Sequence, residues 1–281
     1  MSFDARLTLK LDDRADARLE GRVAADTFVE TGAFRVSASA TAIRRSPDPT
    51  AEQLSQVLHG EDVDVLAWRG DFAFIQARRG GYVGYVAGGA LAPRGSAPTH
   101  RVSALRTYGF SGPSIKTAPV GLYSLNALVI VGETEGKLVD CGASGFIPAR
   151  HLAPIGQFMT DPAAVAEQFL GAPYQWGGCE SLGLDCSGLV QQALRACGRA
   201  CPRDSDQQMA LGAPIAHRAD LVRGDLVFWK GHVGLMLDAE RLIHANAHHM
   251  AVAIEPLDGA VERIKAAGGG PPTALRRLSL I

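Results

Sequence analysis

Tyr174-Gln-Trp176-Gly-Gly-Cys-Glu-Ser-Leu-Gly-Leu-Asp185-Cys186-Ser187-Gly188-Leu189 is the most informative stretch of this 281-residue chain. A glycine-rich, turn-prone segment runs straight into helical periodicity. Leu189, Val190, Ala193, Leu194 and Cys197 recur at helical spacing, and Gly198 supplies a stop. The spacing predicts a helix from about Cys186 to Ala196, with Cys186 in its first turn. A helix N-terminus carries unpaired N–H groups and roughly half a positive charge. Both favour thiolate over thiol and lower a cysteine pKa from about 8.5 towards ~4–7. The neighbours Asp185, Ser187 and Gly188 are small or polar, which a cysteine serving only as a buried hydrophobe would not need. Cys186 is therefore the candidate nucleophile. The chain has five cysteines, an odd number, so no disulfide framework is expected. Cys141, Cys179, Cys197 and Cys201 read as small hydrophobes, although Cys179 shares the loop before Cys186 and would make the site sensitive to oxidation.

A thiol nucleophile needs a base and a third group that orients the base. His232, opening His-Val-Gly-Leu-Met-Leu, and His244, in Arg-Leu-Ile-His-Ala-Asn, lie on consecutive predicted strands. Parity decides whether they share a side. An odd connection such as Asp238-Ala-Glu240 pairs 232 with 246, and His244 then points to the same side as His232. A two-residue loop would separate them unless a bulge intervened. The triad thus predicts an odd-register hairpin or a bulge. Asn246 is an alternative orienting group. His248 and His249 read as exposed loop residues. A zinc site from His244, His248 and His249 lacks a supporting Cys-x-x-Cys or helical His-x-x-x-His, so no metal and no cofactor is expected. Pro202-Arg203-Asp204-Ser205-Asp206-Gln207-Gln208 reads as a helix cap, and equally as a short loop whose Asp and Ser hold a ligand amine.

Around these motifs, Asp161-Pro162 opens a helix that Gly171 closes, and a short helix is predicted over Ser205–Leu211. Strands follow over Asp225–Trp229, His232–Leu237, Arg241–Ala245 and Ala251–Ile254. Helices followed by an antiparallel meander define an α+β domain, taken as 160–281. Upstream the chain repeats itself. Gly84-Tyr85-Val86 and Leu91-Ala92-Pro93 recur 61 residues on as Gly145-Phe146-Ile147 and Leu152-Ala153-Pro154. Arg35-Val-Ser-Ala38 recurs 66 residues on as Arg101-Val-Ser-Ala104. Short strands at about ten-residue spacing suggest two small barrels, 35–95 and 100–155. Residues 1–34 read as an extension that drapes over another element or frays.

Composition excludes several classes. Hydrophobic residues make up 47%, charged residues 20%, and the formal net charge is −1, as for an ordinary globular protein. Such a charge gives no field for nucleic acid or anionic lipid. The longest clear apolar run, Ala127–Val131, is far short of a membrane span. The N-terminal residues lack the apolar core of a secretory signal, so a cytoplasmic location is expected.

Tyr-x-Trp-Gly-Gly, Leu-Asp-Cys-Ser-Gly-Leu, Pro-Arg-Asp-Ser-x-x-Gln, Arg-Gly-Asp-Leu-Val-Phe-Trp, His-Val-Gly-Leu and Leu-Ile-His-Ala, in this order over roughly residues 160–260, resemble the NlpC-type papain-like cysteine peptidases of bacterial cell-wall metabolism. Gly-Tyr-Val-Gly-Tyr-Val resembles the final strands of bacterial SH3-like domains. The resemblance implies an α+β papain-like C-terminal domain preceded by two small all-β SH3-like barrels, as in the cytoplasmic branch that degrades recycled murein peptides. It implies Cys186 as nucleophile, His232 as base, His244 as polar third member and Tyr174 beside the thiolate as an oxyanion donor. The family cleaves the amide between γ-D-glutamate and a diamino acid, and the recycling branch requires a free N-terminal L-alanine. There Asp204 and Ser205 would hold the amine, with Tyr82 and Glu52 of the first barrel closing the pocket and Glu61 as the rival acid. Trp176 and Ser187 complete the expected substrate contacts. Competing functions are a peptide-binding protein with an inactive papain-like domain, and a thiol acyltransferase or amidase on the same scaffold.

Overall fold

The computed structural model describes residues 3–278. The chain divides into two compact units, Met1–Ile155 and Gly156–Ile281.

The first unit is all strand and turn. Residues 10–29 are tied into a sheet and do not fray. Lys10–Leu11, Arg14–Asp16 and Thr27–Val29 form a three-stranded sheet. Leu9, 1% exposed, packs among Leu66, Phe74, Val83 and Tyr85, which gives this segment a hydrophobic anchor. The first barrel's sheet begins at Gly32–Val36, slightly ahead of residue 35, because Phe34 and Arg35 already pair with the strand Asp62–Arg69. Val36, Ile43, Val57, Val63, Ile75 and Val86 fill its core. A second cluster of strands, from His100–Val102 to Leu152–Pro154, surrounds Val102, Tyr123, Val129 and Ile147.

The sequence repeat is a repeat of hydrogen bonds. Gly60 N–H donates to the Val36 carbonyl, and 66 residues on Asn126 N–H donates to Val102, both at 2.9 Å. Gly60 and Asn126 occupy the left-handed region at φ +78° and +71°, which Gly and Asn tolerate best. Ser37 bonds to Ala90, and Ser103 to His151, each at 2.8 Å. Each copy ends strand, 3-10 turn, strand: Val83–Ala87, Gly88–Ala90, Leu91–Pro93 in one, and Phe146–Pro148, Ala149–His151, Leu152–Pro154 in the other.

In the second unit, Asp161 caps the helix Pro162–Glu167 by accepting from Ala163 N–H at 2.9 Å. The helix Cys186–Ala196 has the predicted bounds, and all its residues are buried. The third helix is only Ser205–Gln208. Beyond it the chain tightens into i→i−3 bonds, Ala210 to Gln207 and Leu211 to Gln208, before Gly212 turns it away. A six-stranded antiparallel sheet carries the order Ala213–Pro214, Ala274–Arg277, Leu226–Trp229, His232–Met236, Arg241–Asn246, Ala251–Pro256. Sequence reading missed the helix Leu257–Ala266 and the strand Ala274–Arg277. Leu257, Ala260 and Val261 of that helix pack on Val227, Trp229, Met236 and Leu242 of the sheet. Among the described residues, no helix is long and apolar enough to cross a membrane.

Candidate active site

Cys186 sits in the first turn of the 186–196 helix, 7% exposed. Asp185 is the N-cap. Its Oδ1 accepts from Gly188 N–H at 2.7 Å, and its Oδ2 from Gly177 N–H at 3.0 Å, tying the glycine loop to the helix start. A Cβ on Gly188 would lie 2.1 Å from the Gly178 carbonyl oxygen, so this close approach of loop and helix requires glycine. The remaining charge on Asp185 is met by Arg203, whose Nη2 and Nη1 lie 2.6 and 3.0 Å from its two oxygens. Both side chains are buried, and the Asp185 carboxylate keeps the guanidinium firmly protonated despite burial. Arg203 Nη1 also donates to Ser187 Oγ at 2.8 Å, and that hydroxyl reaches Asp185 Oδ1 at 3.2 Å.

The backbone N–H groups of Ser187 and of Val233, the residue following His232, act on the Cys186 sulfur and favour its thiolate. Sequence reading expects a lowered thiol pKa. The structure corrects this: burial and the adjacent Asp185 carboxylate push it up to about 12, outweighing the two N–H donors and Arg203. Burial, then His244 and Arg263, push His232 down to about 3. The resting site therefore holds a thiol and a neutral imidazole.

The hairpin takes the odd register. Leu235 pairs with Ile243 and Met236 with Leu242 around the Asp238–Glu240 connection. His232 and His244 consequently meet, Nε2 to Nδ1, at 2.8 Å. The same register sets Gly234 opposite His244, and an added Cβ there would stand 2.4 Å from the Leu242 side chain. Beyond His244 comes Glu255, which sequence reading missed. Its Oε1 lies 2.7 Å from His244 Nε2. Ala253 is the partner of His244 across the sheet, so Glu255, two residues on, is a diagonal neighbour on the same face. Arg263, from the 257–266 helix, donates to the same carboxylate. Burial raises the Glu255 pKa, but the bonds from His244 and Arg263 win and hold it at about 2. Asn246 does not orient His232; its Oδ1 accepts from His249.

These bonds fix the protons. An ionised Glu255 only accepts, so His244 carries its proton on Nε2. Neutral His244 then offers a lone pair at Nδ1, His232 donates from Nε2, and Nδ1 of His232 is left as a base. The arrangement can take a proton from a nearby thiol and pass it to a leaving group.

The other expected residues are distributed as follows. Tyr174 is half-buried and feels Cys186; burial, then Cys186 and Asp185, push its phenol up to about 12, so it stays a donor. Trp176 is 61% exposed on the glycine loop. Ser187 is corrected: it is buried, with its hydroxyl held between Arg203 and Asp185. Asp204 is the N-cap of Ser205–Gln208, in a capping box with Gln207, and Ser205 is half-buried at the first helical position. In the first unit, Tyr82 packs in the barrel core, Glu52 pairs with Arg45 at 2.7 Å, and buried Glu61 accepts from Leu58 N–H and Arg79. All five cysteines are buried, and Cys179 faces Gln191 and the Gly177 carbonyl.

A cysteine at a buried helix start, against a sheet that carries a polar histidine chain, defines the class: a papain-like thiol hydrolase fold. Comparison narrows it. Residues 171–265 match the NlpC/P60 family, and residues 43–91 match the bacterial dipeptidyl-peptidase Sh3 domain, so the chain carries an NlpC/P60 domain preceded by a bacterial SH3 domain. It is 28% identical over 212 residues to the gamma-D-glutamyl-L-lysine dipeptidyl-peptidase of Bacillus subtilis, covering 68% of this chain and 71% of that one. It is 38% identical over 111 residues to a probable endopeptidase of Corynebacterium glutamicum, covering 38% of this chain and spanning about half (50%) of that relative's length. An NlpC/P60 family protein from Bacillus cereus has the same fold, with a TM-score of 0.76 at 20% identity, over 89% of this chain and 100% of that one.

Proposed function

We propose that this protein is a cysteine endopeptidase that cleaves the γ-D-glutamyl–diamino acid amide of murein-derived peptides bearing a free N-terminal L-alanine. The observation that carries the reading is the line of contacts from Cys186 at Val233, through His232 and His244, to Glu255. The γ-D-glutamyl bond is supported by the activity named for the Bacillus subtilis relative.

As Cys186 Sγ attacks the γ-carbonyl carbon, the thiol proton passes to His232 Nδ1, a C–S bond forms and the carbonyl electron pair moves to oxygen. The Cys186 backbone N–H and the Tyr174 hydroxyl are the donors for that oxyanion. The tetrahedral intermediate collapses, the C–N bond breaks, and His232 gives its proton to the departing diamino acid amine. Water, deprotonated by the same nitrogen, hydrolyses the thioester and restores the thiol. The imidazolium formed in each half-reaction is stabilised through His244 by Glu255. Asp204 and Ser205, next to buried Arg203, are the groups for the substrate ammonium. The repeated hydrogen bonds of the second strand cluster support a second SH3-like barrel. A cytoplasmic location and a role in recycling wall fragments belong to the same reading and rest on the resemblance of the sequence motifs.

Incubation with L-Ala-γ-D-Glu-diaminopimelate and mass spectrometry test the reading. Release of L-Ala-γ-D-Glu and free diaminopimelate is expected; an intact substrate, or transfer to another amine in place of hydrolysis, would overturn it.

A further inference from the structure

The orienting end of the histidine chain has the make-up of a metal site. His244, His249 and Glu255 each offer one ligand atom, and the three atoms lie within 4.8 Å of one another. They come from two paired strands, Arg241–Asn246 and Ala251–Pro256, and the turn between them. The set differs from the His244, His248 and His249 combination that the sequence reading sets aside, because the register brings Glu255 beside His244. His249 is held in place: the buried Asn246 amide oxygen accepts from its backbone N–H at 2.8 Å and from Nδ1 at 3.0 Å, so Nε2 is the ring nitrogen left for a ligand bond. A buried amide orienting a histidine in this way is the support that metal-bound imidazoles use. His244 is buried, Glu255 half-buried and His249 exposed, so an ion can enter from the His249 side. Two imidazoles and one carboxylate suit a borderline divalent ion such as zinc.

We propose that His244, His249 and Glu255 form an inhibitory site for a divalent transition-metal ion, which disables Cys186 by reversing the tautomers of His244 and His232. This rests on the reading of His232 as the base for Cys186. A metal bonded to His244 Nε2 occupies the lone pair there, so the His244 proton must reside on Nδ1. Nδ1 then donates to His232 Nε2, and neutral His232 must carry its own proton on Nδ1. The two protons are conserved; each has moved to the other nitrogen of its ring. His232 now shows the thiol a proton where it needs a lone pair. Doubly protonated His232 is also disfavoured, because its Nε2–H would face another N–H. Arg263 opposes the ion, since its guanidinium lies on the Glu255 carboxylate that the metal would share.

Zinc also binds thiolates, so the test begins with the full-length Cys186→Ala protein. Calorimetric titration with zinc chloride should show one equivalent bound. Adding His249→Ala should weaken binding at least tenfold, and adding Arg263→Gln should tighten it. No binding to Cys186→Ala, or unchanged affinity on adding His249→Ala, overturns the site. In protein with Cys186 intact, zinc should slow iodoacetamide labelling of Cys186 at least tenfold, read by peptide mass spectrometry and reversed by a chelator. His249→Ala should label at the metal-free rate at the same zinc concentration. Equal protection of the two proteins would place zinc on the sulfur and overturn the tautomer mechanism. Neither readout needs turnover, so an error in the assigned substrate would leave these results standing.

Discussion

His244 Nε2 lies 2.7 Å from Glu255 Oε1, and this bond sets the position of every proton between the sheet edge and Cys186. In the proposed mechanism Glu255 touches no reacting atom and acts through two imidazoles.

Replacing Glu255 with Ala leaves His244 free to take either tautomer and removes the counter-charge for the His232 imidazolium. We expect kcat to fall at least tenfold, about 1.4 kcal/mol, with KM little changed. Glu255→Asp should recover less than half of the loss, because the shorter side chain must span the same gap. Steady-state kinetics on the two variants check this.

The pH dependence follows from the depressed imidazoles. His232 is lowered from 6.5 to about 3 and His244 is lowered too, both chiefly by burial. The base is therefore neutral across the ordinary range, and kcat/KM should show no acid-side inflection at pH 6.5. For stability, the unfolded chain binds more protons than the folded one between those two values, so stability is present above 6.5 and is lost as pH falls towards 3. Thermal melts from pH 7 down to 4 should show a falling Tm.

Arg203 and Asp185 form a buried ion pair at the start of the Cys186–Ala196 helix. Arg203→Ala leaves the carboxylate uncompensated and should cost about 3–5 kcal/mol. Urea denaturation of the variant checks it. A loss under 1 kcal/mol would mean that water replaces the guanidinium.

Acetylating the L-alanine amine removes the charge that Asp204 is proposed to meet. A drop of at least tenfold in kcat/KM is expected from paired assays on free and acetylated peptide, and equal rates would remove that pocket.

The parts of the site that were legible in the sequence follow from local rules. Asp185 before a helical run marks a cap, and the three residues Asp238–Glu240 force the parity that joins His232 to His244. Glu255 was not legible because its role depends on the register of a third strand, and the apolar alternation that marks that strand stops at Ile254. The helix over Leu257, Ala260, Val261 and Ile264 had the right spacing and could have been found from it. Arg203 stood in a recognised motif, but only the three-dimensional structure shows five donor groups converging on Asp185 from loop, helix and Arg203. The thiol was misread for the same reason. A helix start is visible in sequence; the desolvation and the neighbouring carboxylate that oppose it are not.

The most direct test is to assay Cys186→Ala on L-Ala-γ-D-Glu-diaminopimelate, with peptide binding followed by calorimetry. Binding should persist while cleavage disappears. A variant that still released diaminopimelate at the wild-type rate would show that this sulfur is not the attacking atom.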